Sequence, residues 1–286
     1  MSLVLLLEQK LREWILEDAP YGDITTQSLF SNKWIRGEVV VLEDCVTACV
    51  SPLAKVLERL GFEVVHYVQD GVRVNDGTPI LCFQGPADMV LLYERVILNF
   101  LMVMCGIATK TRRIVEKVRQ VNPKVRVAAT RKTHPGLQVF EKYAVQVGGG
   151  DTHRFCLSDM VLIKRNHIKL YGSISDAIKI IRARTSFSKK IEVEVTSPQE
   201  AVEAARAGAD IVMLDNFTLE MVDETIDLLK MEGLRSRVLI EVSGGINEDN
   251  VMDFAKRDVD IISMSDITLK ARPIDMRFIV TLPAKS

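Results

Sequence analysis

The sequence predicts an α/β protein: an N-terminal mixed α/β domain followed by an incomplete, open α/β barrel of about six parallel strands. Three observations carry this. From residue 125 onward, short apolar runs recur with helical segments between them: Val125–Ala129, Met160–Ile163, Ile191–Val195, Ile211–Leu214, Val238–Val242 and Ile261–Met264. Strands that alternate with helices are joined by right-handed crossovers and lie parallel. Before residue 85 the pattern differs: the β-branched runs Glu38–Leu42 and Val64–Val68, with turn signals at Asp70-Gly71 and Asn75-Asp76-Gly77, point to antiparallel pairing. Finally, 286 residues that are 48% apolar and 26% charged suffice for a sizeable core. Six strand signals fall short of the eight of a complete barrel, hence the open form; a doubly wound sheet has the same local pattern and is the alternative.

The domains are expected at 1–106, with the tail 272–286 a candidate to complete it, and at 107–271. An amphipathic helix is expected over about Val4–Glu17, followed by the turn-rich Asp18–Asp23, with Thr25 and Thr26 in a cap or loop. Pro52–Leu60 predicts a helix that stops at Gly61. Gly85-Pro86 closes the first module, and a long helix runs from Met89 to about Met104. It carries Glu94 and Arg95, which without further context form a structural pair. Ser197-Pro198-Gln199-Glu200 places a capping Ser, a first-turn Pro and an N3 Glu before an Ala-rich helix that ends at Gly208. Thr218 and Asn247 are expected to cap the next two helices.

Composition excludes some functions. A formal charge of −1 gives no reason to bind nucleic acid or an anionic membrane. The five cysteines are odd in number and scattered, so no zinc site is expected; they read as reduced and mostly buried, in a cytoplasmic protein. The apolar run Leu3–Leu7 is too short to span a bilayer and lacks a preceding basic residue.

The residues at the strand ends are informative. They are Thr130-Arg131-Lys132, Lys164, Glu192 and Glu194, Asp215-Asn216, Ser243-Gly244-Gly245 and Ser265-Asp266. In parallel α/β folds these ends converge on the face where ligands bind. Arg131, Lys132, His153, Arg154 and Lys164 offer positive charge to a ligand with several negative charges. Glu194 and Asp215 suit Mg²⁺; Glu192 and Glu194 share a strand face, and alternation alone does not choose between them. Ser243-Gly244-Gly245, before a helix expected near Asn247, suits a phosphate. The bland reading of the same residues is a solvated basic surface with neutralising acids.

Taken together, Thr130-Arg-Lys-Thr133, Pro135-Gly136, Lys142-Tyr-Ala-Val145, Gly148-Gly-Gly150, His153-Arg154, Val161-Leu-Ile-Lys164, Asn166-His-Ile168, Glu192-Val-Glu194, Leu214-Asp-Asn216 and Ser243-Gly-Gly-Ile246 resemble the quinolinate phosphoribosyltransferase family. Gly22-Asp-Ile-Thr25, Glu94-Arg95 and Gly106-Ile-Ala-Thr109 extend the resemblance over nearly the whole chain. It implies attack of the quinolinate nitrogen on C1 of phosphoribosyl pyrophosphate, with loss of pyrophosphate and carbon dioxide, in NAD biosynthesis. It further implies that Arg131, His153 and Arg154 hold the quinolinate carboxylates, with Lys132 and Lys164 on anionic groups. Glu194 and Asp215 would flank the ribose and Mg²⁺; Ser243, Gly244 and Ser265 would line the phosphate. Arg95 would reach into the site of a partner subunit in a homodimer or higher oligomer. Two positions depart from the family: Arg165 stands where Asp is usual, and Ser265-Asp266 where Gly and a small residue are usual. The competing readings are a nicotinate phosphoribosyltransferase, a Schiff-base aldolase using Lys164, and a family-like protein whose site has decayed.

Overall fold

The computed structural model describes residues 3–29 and 33–282. In chain order the elements are α1 Leu3–Asp18, α2 Ile24–Leu29, β1 Trp34–Val41, β2 Cys45–Val46, α3 Val50–Arg59, β3 Glu63–Tyr67, β4 Arg73–Val74, β5 Pro79–Pro86 and α4 Ala87–Val121. Next come β6 Arg126–Ala128, α5 Gln138–Val147, β7 Val161–Ile163, α6 Arg165–Tyr171, α7 Ile174–Arg184, β8 Ile191–Val195, α8 Pro198–Arg206 and β9 Ile211–Asp215. The last are α9 Leu219–Met231, β10 Leu239–Ser243, α10 Val251–Ala255, β11 Ile261–Ser263, α11 Asp266–Leu269 and β12 Met276–Thr281. The chain divides into two compact units: Met1–Arg112 with Pro135–Gly149 and Ala271–Ser286, and Arg113–His134 with Gly150–Lys270.

The first unit is built on an antiparallel sheet of order β12-β1-β5-β3. Its core is aromatic: Phe62 packs on Phe83 and on Tyr93 with ring centroids 5.4 Å apart, and Phe83 on Phe278 at 5.9 Å. Gly37 makes the room, since a Cβ there would lie 2.2 Å from Cζ of Phe278. Leu7, Leu11 and Ile15, each four residues apart, form the buried stripe of α1. Thr25 and Thr26 fall within the short α2, whose start is held by Asp23 Oδ1 accepting both their N–H groups.

Helix α4 continues to Val121, well beyond Met104, because buried Ile107, Thr111, Ile114, Val115 and Val118 prolong its apolar stripe. Its most apolar window meets the length and composition of a membrane span, and 61% of that window is buried within the protein, as in a core helix. Gly106 inside this helix admits the C-terminal segment: a Cβ there would meet the Arg272 carbonyl at 2.2 Å, and Ile274 N–H bonds the Met102 carbonyl at 2.9 Å.

The second unit is a six-stranded parallel sheet of order β6-β11-β10-β9-β8-β7. The first and second strands in the chain are thus the two edges, while the first and last are neighbours. A barrel open between β6 and β7 has this order; a doubly wound sheet does not, because its first strand lies inside. Asp151 forms a parallel bridge with Ala128, partly lining the open seam. Ser197 caps α8 as expected, accepting Glu200 N–H at 3.2 Å, and Thr218 caps α9. Asn247 instead caps a turn: α10 begins only at Val251 and spans five residues, so no helix N-terminus directly follows Ser243-Gly244-Gly245. All five cysteines are free; four are buried, and Cys156 is exposed.

Candidate active site

Register decides which strand residues share a face. Glu192 pairs with Ile211, Glu194 with Met213, Met213 with Glu241, Glu241 with Ile261, and Asp215 with Ser243. Cross-strand partners lie on one face and residues two apart repeat it. One face therefore carries Glu192, Glu194, Asp215, Glu241, Ser243 and, two beyond Ile261, Ser263. The other carries Val193, Val195, Val212, Leu214, Ile240, Val242 and Ile262, all at most 1% exposed. The apolar face serves the helices; the polar face lines the barrel.

At the C-terminal ends of the strands, Lys164 Nζ lies 3.5 Å from Glu194 Oε2. Asp215 ends β9 beside Ser243, which ends β10. The backbone then turns through Asn216 (φ 58°), Gly244 (φ 88°) and Gly245 (φ 66°). Glycine is required at 244, where a Cβ would lie 2.4 Å from Asn216 Oδ1. Arg131 and Lys132 follow β6 across the open seam from Lys164; both are exposed, and neither side chain has an acidic partner among the described residues. The Lys132 carbonyl accepts a bond from Thr268 Oγ1 at 2.8 Å, which ties this loop to α11. Ser265 precedes α11, and Asp266, its first residue, is buried at 8% exposure. Arg165 is exposed and its N–H lies 3.5 Å from Glu194 Oε1, so the departure from Asp adds charge at the rim.

Deeper in the barrel His153 has partners within the protein. Asp151 Oδ1 accepts the His153 N–H at 2.8 Å, and a left-handed φ of 52° turns the ring inward. Nε2 lies 3.0 Å from Glu241 Oε2 and 3.4 Å from Glu192 Oε2, while Nδ1 accepts the Arg154 N–H at 2.7 Å. Both ring nitrogens are thus used by the protein. Arg154 is buried, and its guanidinium reaches the Met160 carbonyl at 3.4 Å, just before β7. The two residues line a groove of about 440 Å³ at the N-terminal ends of the strands, where Arg126, Ile211, Leu239 and Ile261 begin.

Glu192 is fully buried, and neither of its oxygens makes a hydrogen bond of good geometry. Burial raises its pKa to about 7. Burial lowers the imidazole pKa of His153, but Glu192 and Glu241 outweigh it and would hold it up to about 10. Geometry assigns the protons differently: Nδ1 faces a donor, so the ring carries its single proton on Nε2, and the proton that the two acids attract resides on Glu192. For the same reason His153, Glu192 and Glu241, whose ligand atoms lie within 4.8 Å of one another, do not suit a metal, because Nε2 has no free lone pair. Glu194 and Asp215, oxygen donors at the mouth, could hold Mg²⁺, an ion satisfied by one or two carboxylates plus substrate oxygens. Glu241 and Ser263 escaped the sequence reading, although a charge inside the apolar run Val238–Val242 marked the first of them.

An open parallel barrel whose acids and cations gather at the C-terminal strand ends is an enzyme's architecture. The models of the C-terminal and N-terminal domains of quinolinate phosphoribosyl transferase match residues 107–278 and 23–105. The chain is 45% identical over 267 residues to a "Probable nicotinate-nucleotide pyrophosphorylase (carboxylating)" of Methanothermobacter thermautotrophicus, covering 93% of this chain and 96% of the relative. It is 39% identical over 220 residues to the human nicotinate-nucleotide pyrophosphorylase (carboxylating), covering 77% and 73%. The crystal structure of NadC from Streptococcus pyogenes superposes with a TM-score of 0.89 at 35% identity, over 98% of each chain. The chain belongs to the quinolinate phosphoribosyltransferase family and is a phosphoribosyltransferase.

Proposed function

We propose that this enzyme joins quinolinate to the phosphoribosyl group of phosphoribosyl pyrophosphate, giving nicotinate mononucleotide, carbon dioxide and pyrophosphate, as a cytoplasmic step of NAD biosynthesis. The observation that supports this most is the convergence of Lys164, Glu194, Asp215 and Ser243 at one barrel mouth, across the seam from the exposed side chains of Arg131 and Lys132. Two mutually repelling anions can meet only where fixed cations offset their charge, and Arg131 can grip a carboxylate with two parallel donors. The ring nitrogen forms a bond to C1 as the C1–O bond breaks, its electron pair leaving with pyrophosphate. Positive charge then develops on the ribose, and Glu194 and Asp215 beside it stabilise that charge. Loss of carbon dioxide leaves an electron pair on the carbon next to the new pyridinium nitrogen, which takes up a proton. Mg²⁺, held by Glu194 and Asp215, would neutralise the pyrophosphate. Ser243, Gly244 and Ser265 line the phosphate side. Arg154 lies deeper in the barrel behind the mouth, beside the neutral His153, and adds its positive charge from there.

The enzyme works as a homodimer in this reading. Arg95 is exposed and has no ion-pair partner among the described residues. Asn99 and Val103 follow it on the same face of α4, beside a groove of about 540 Å³ lined also by Trp14, Phe100 and Leu137. An exposed guanidinium beside a groove of mixed polar and apolar lining suits delivery of Arg95 to a partner's substrate.

Release of labelled carbon dioxide from quinolinate, compared with turnover of nicotinate, tests the reading. Quinolinate is expected to be the far better substrate; equal turnover of nicotinate would transfer the assignment to the monocarboxylate. Mixed dimers of Arg95→Ala and Glu194→Gln chains should recover activity that neither parent has.

A further inference from the structure

A continuous hydrogen-bonded path crosses the barrel interior. His153 Nε2 lies 3.0 Å from Glu241 Oε2; Ser263 Oγ donates to Glu241 Oε1 at 2.5 Å; and Ser263 Oγ lies 2.9 Å from Ser243 Oγ. Its inner members are sealed from solvent, with Glu241 at 0% and Ser263 at 1% exposure. It joins β10 and β11 to the seam residue His153 and reaches the mouth at Ser243. We propose that Glu241 and Ser263 are positioning residues, through which an anion seated at the Ser243-Gly244-Gly245 turn tightens the hold on His153 and Arg154 behind the mouth. This rests on the proposed function, in which that turn receives a phosphate.

The directions of the bonds give the mechanism. Ser263 has one proton, and its short contact with a carboxylate claims it. Ser263 Oγ therefore accepts from Ser243, whose own proton points inward. A phosphate is an acceptor only and needs a donor. On binding, it draws the Ser243 proton outward to itself. Ser263 then loses the bond it accepted and becomes a weaker donor, because hydrogen bonds in a chain reinforce one another. Glu241 is left with more unshared charge and grips the Nε2–H of His153 more strongly. The His153 ring is also fixed through Nδ1 by the Arg154 N–H, so the backbone carrying Arg154 is held more firmly when phosphate is present.

The test is a proton–nitrogen spectrum of the histidine side chains in the intact enzyme, titrated with inorganic phosphate. The chain has only four histidines, and a His153→Asn variant identifies the signal. In the unaltered enzyme the Nε2–H proton of His153 should move downfield as phosphate saturates, with Nδ1 showing the shift of an unprotonated acceptor throughout. In Ser263→Ala, phosphate binding followed in parallel by calorimetry should persist while the His153 signal stays still. Glu241→Gln, nearly the same shape, should move Nε2–H upfield at every phosphate concentration and raise KM for quinolinate by about tenfold, the loss of one charge-assisted bond's advantage. A His153 signal indifferent to saturating phosphate overturns the proposal, as does an undiminished shift in Ser263→Ala. An unaltered enzyme that neither binds phosphate nor turns over quinolinate sinks the functional reading, and this inference with it.

Discussion

The two sheets use their alternation differently. In the antiparallel sheet of the first unit, charge stays near water: Arg36 and Glu38 of β1 share a face, 3.3 Å apart and both partly exposed. Its buried side chains are apolar, among them Val39 and Val41 of β1 and Ile80, Leu81 and Phe83 of β5, all at 0% exposure. In the parallel sheet of the second unit, Glu192 and Glu241 are equally buried. A buried carboxylate costs several kcal/mol unless it is paired, and Glu192 has only a 3.4 Å contact with an imidazole. The first sheet is a packing solution with no visible compromise, and the second accepts groups that weaken the fold. Such groups persist where chemistry needs them.

The contrast breaks most easily at the two extremes. Phe83→Ala removes a ring that contacts Phe62 and Phe278, so it should lower the unfolding free energy by about 3–5 kcal/mol in urea titrations. Molecules that remain folded should keep their kcat; a loss of kcat beyond the unfolded fraction would show that this core also shapes the site. Glu194→Gln should do the reverse. Removing one preorganised charge from a developing cation costs about 10²–10³-fold in kcat, while the urea midpoint should change little, because the Lys164–Glu194 ion pair it removes is 3.5 Å long and partly exposed.

The buried acid gives the contrast a pH axis. The pKa of Glu192 rises from the ordinary 4.5 to about 7 because burial penalises its charged form. An acid raised on folding stabilises the native state only while protonated. Its contribution is complete below pH 4.5, and it is lost as pH climbs through 7. Wild-type stability should therefore decline across that window by up to about 3 kcal/mol from this group. Glu192→Gln, neutral at every pH, should flatten the decline and leave the variant the more stable protein above pH 7. An unchanged slope would mean that Glu192 is charged and satisfied by some other route.

How much of the molecule is legible in its sequence depends on range. Local signals read well: the stripe Leu7, Leu11, Ile15 forms α1, Gly61 at φ 92° ends the turn after α3, and each of the six parallel strands lies within a residue or so of its apolar run. The open barrel followed from counting strands. Local signals failed where tertiary contacts decide. Helix α4 continues because its later turns are buried, and Gly106 sits inside it because the Arg272 carbonyl crosses there. At the site, Lys164, Glu194, Asp215 and Ser243 were visible as strand endings. The fate of Glu192 was not, because Glu192 and Glu194 share a face, and only depth in the barrel separates a buried acid from one at the mouth. His153 was read as a ligand from its basic neighbourhood; its φ of 52° and the two carboxylates at Nε2 are properties of the folded chain.

The smallest effect tests whether a purely local device in the second unit is independent of its polar interior. Ser197 Oγ accepts the N–H of Glu200 at 3.2 Å, and Glu200 reaches back to the Thr196 N–H at 2.7 Å, with Pro198 opening α8. The helix lies on the apolar outer side of β8 and β9, away from Glu192 and Ser243. Ser197→Ala leaves one N–H of the first turn without its side-chain acceptor and should cost about 1 kcal/mol, read as a small drop in the urea midpoint. Ser197→Ala and Glu192→Gln share no partner, so in the double variant their effects at any one pH should sum within about 0.5 kcal/mol. A larger deviation would show that the cap of α8 and the buried acid of β8 are coupled through the strand, and that the two faces of this sheet are less separate than their chemistry.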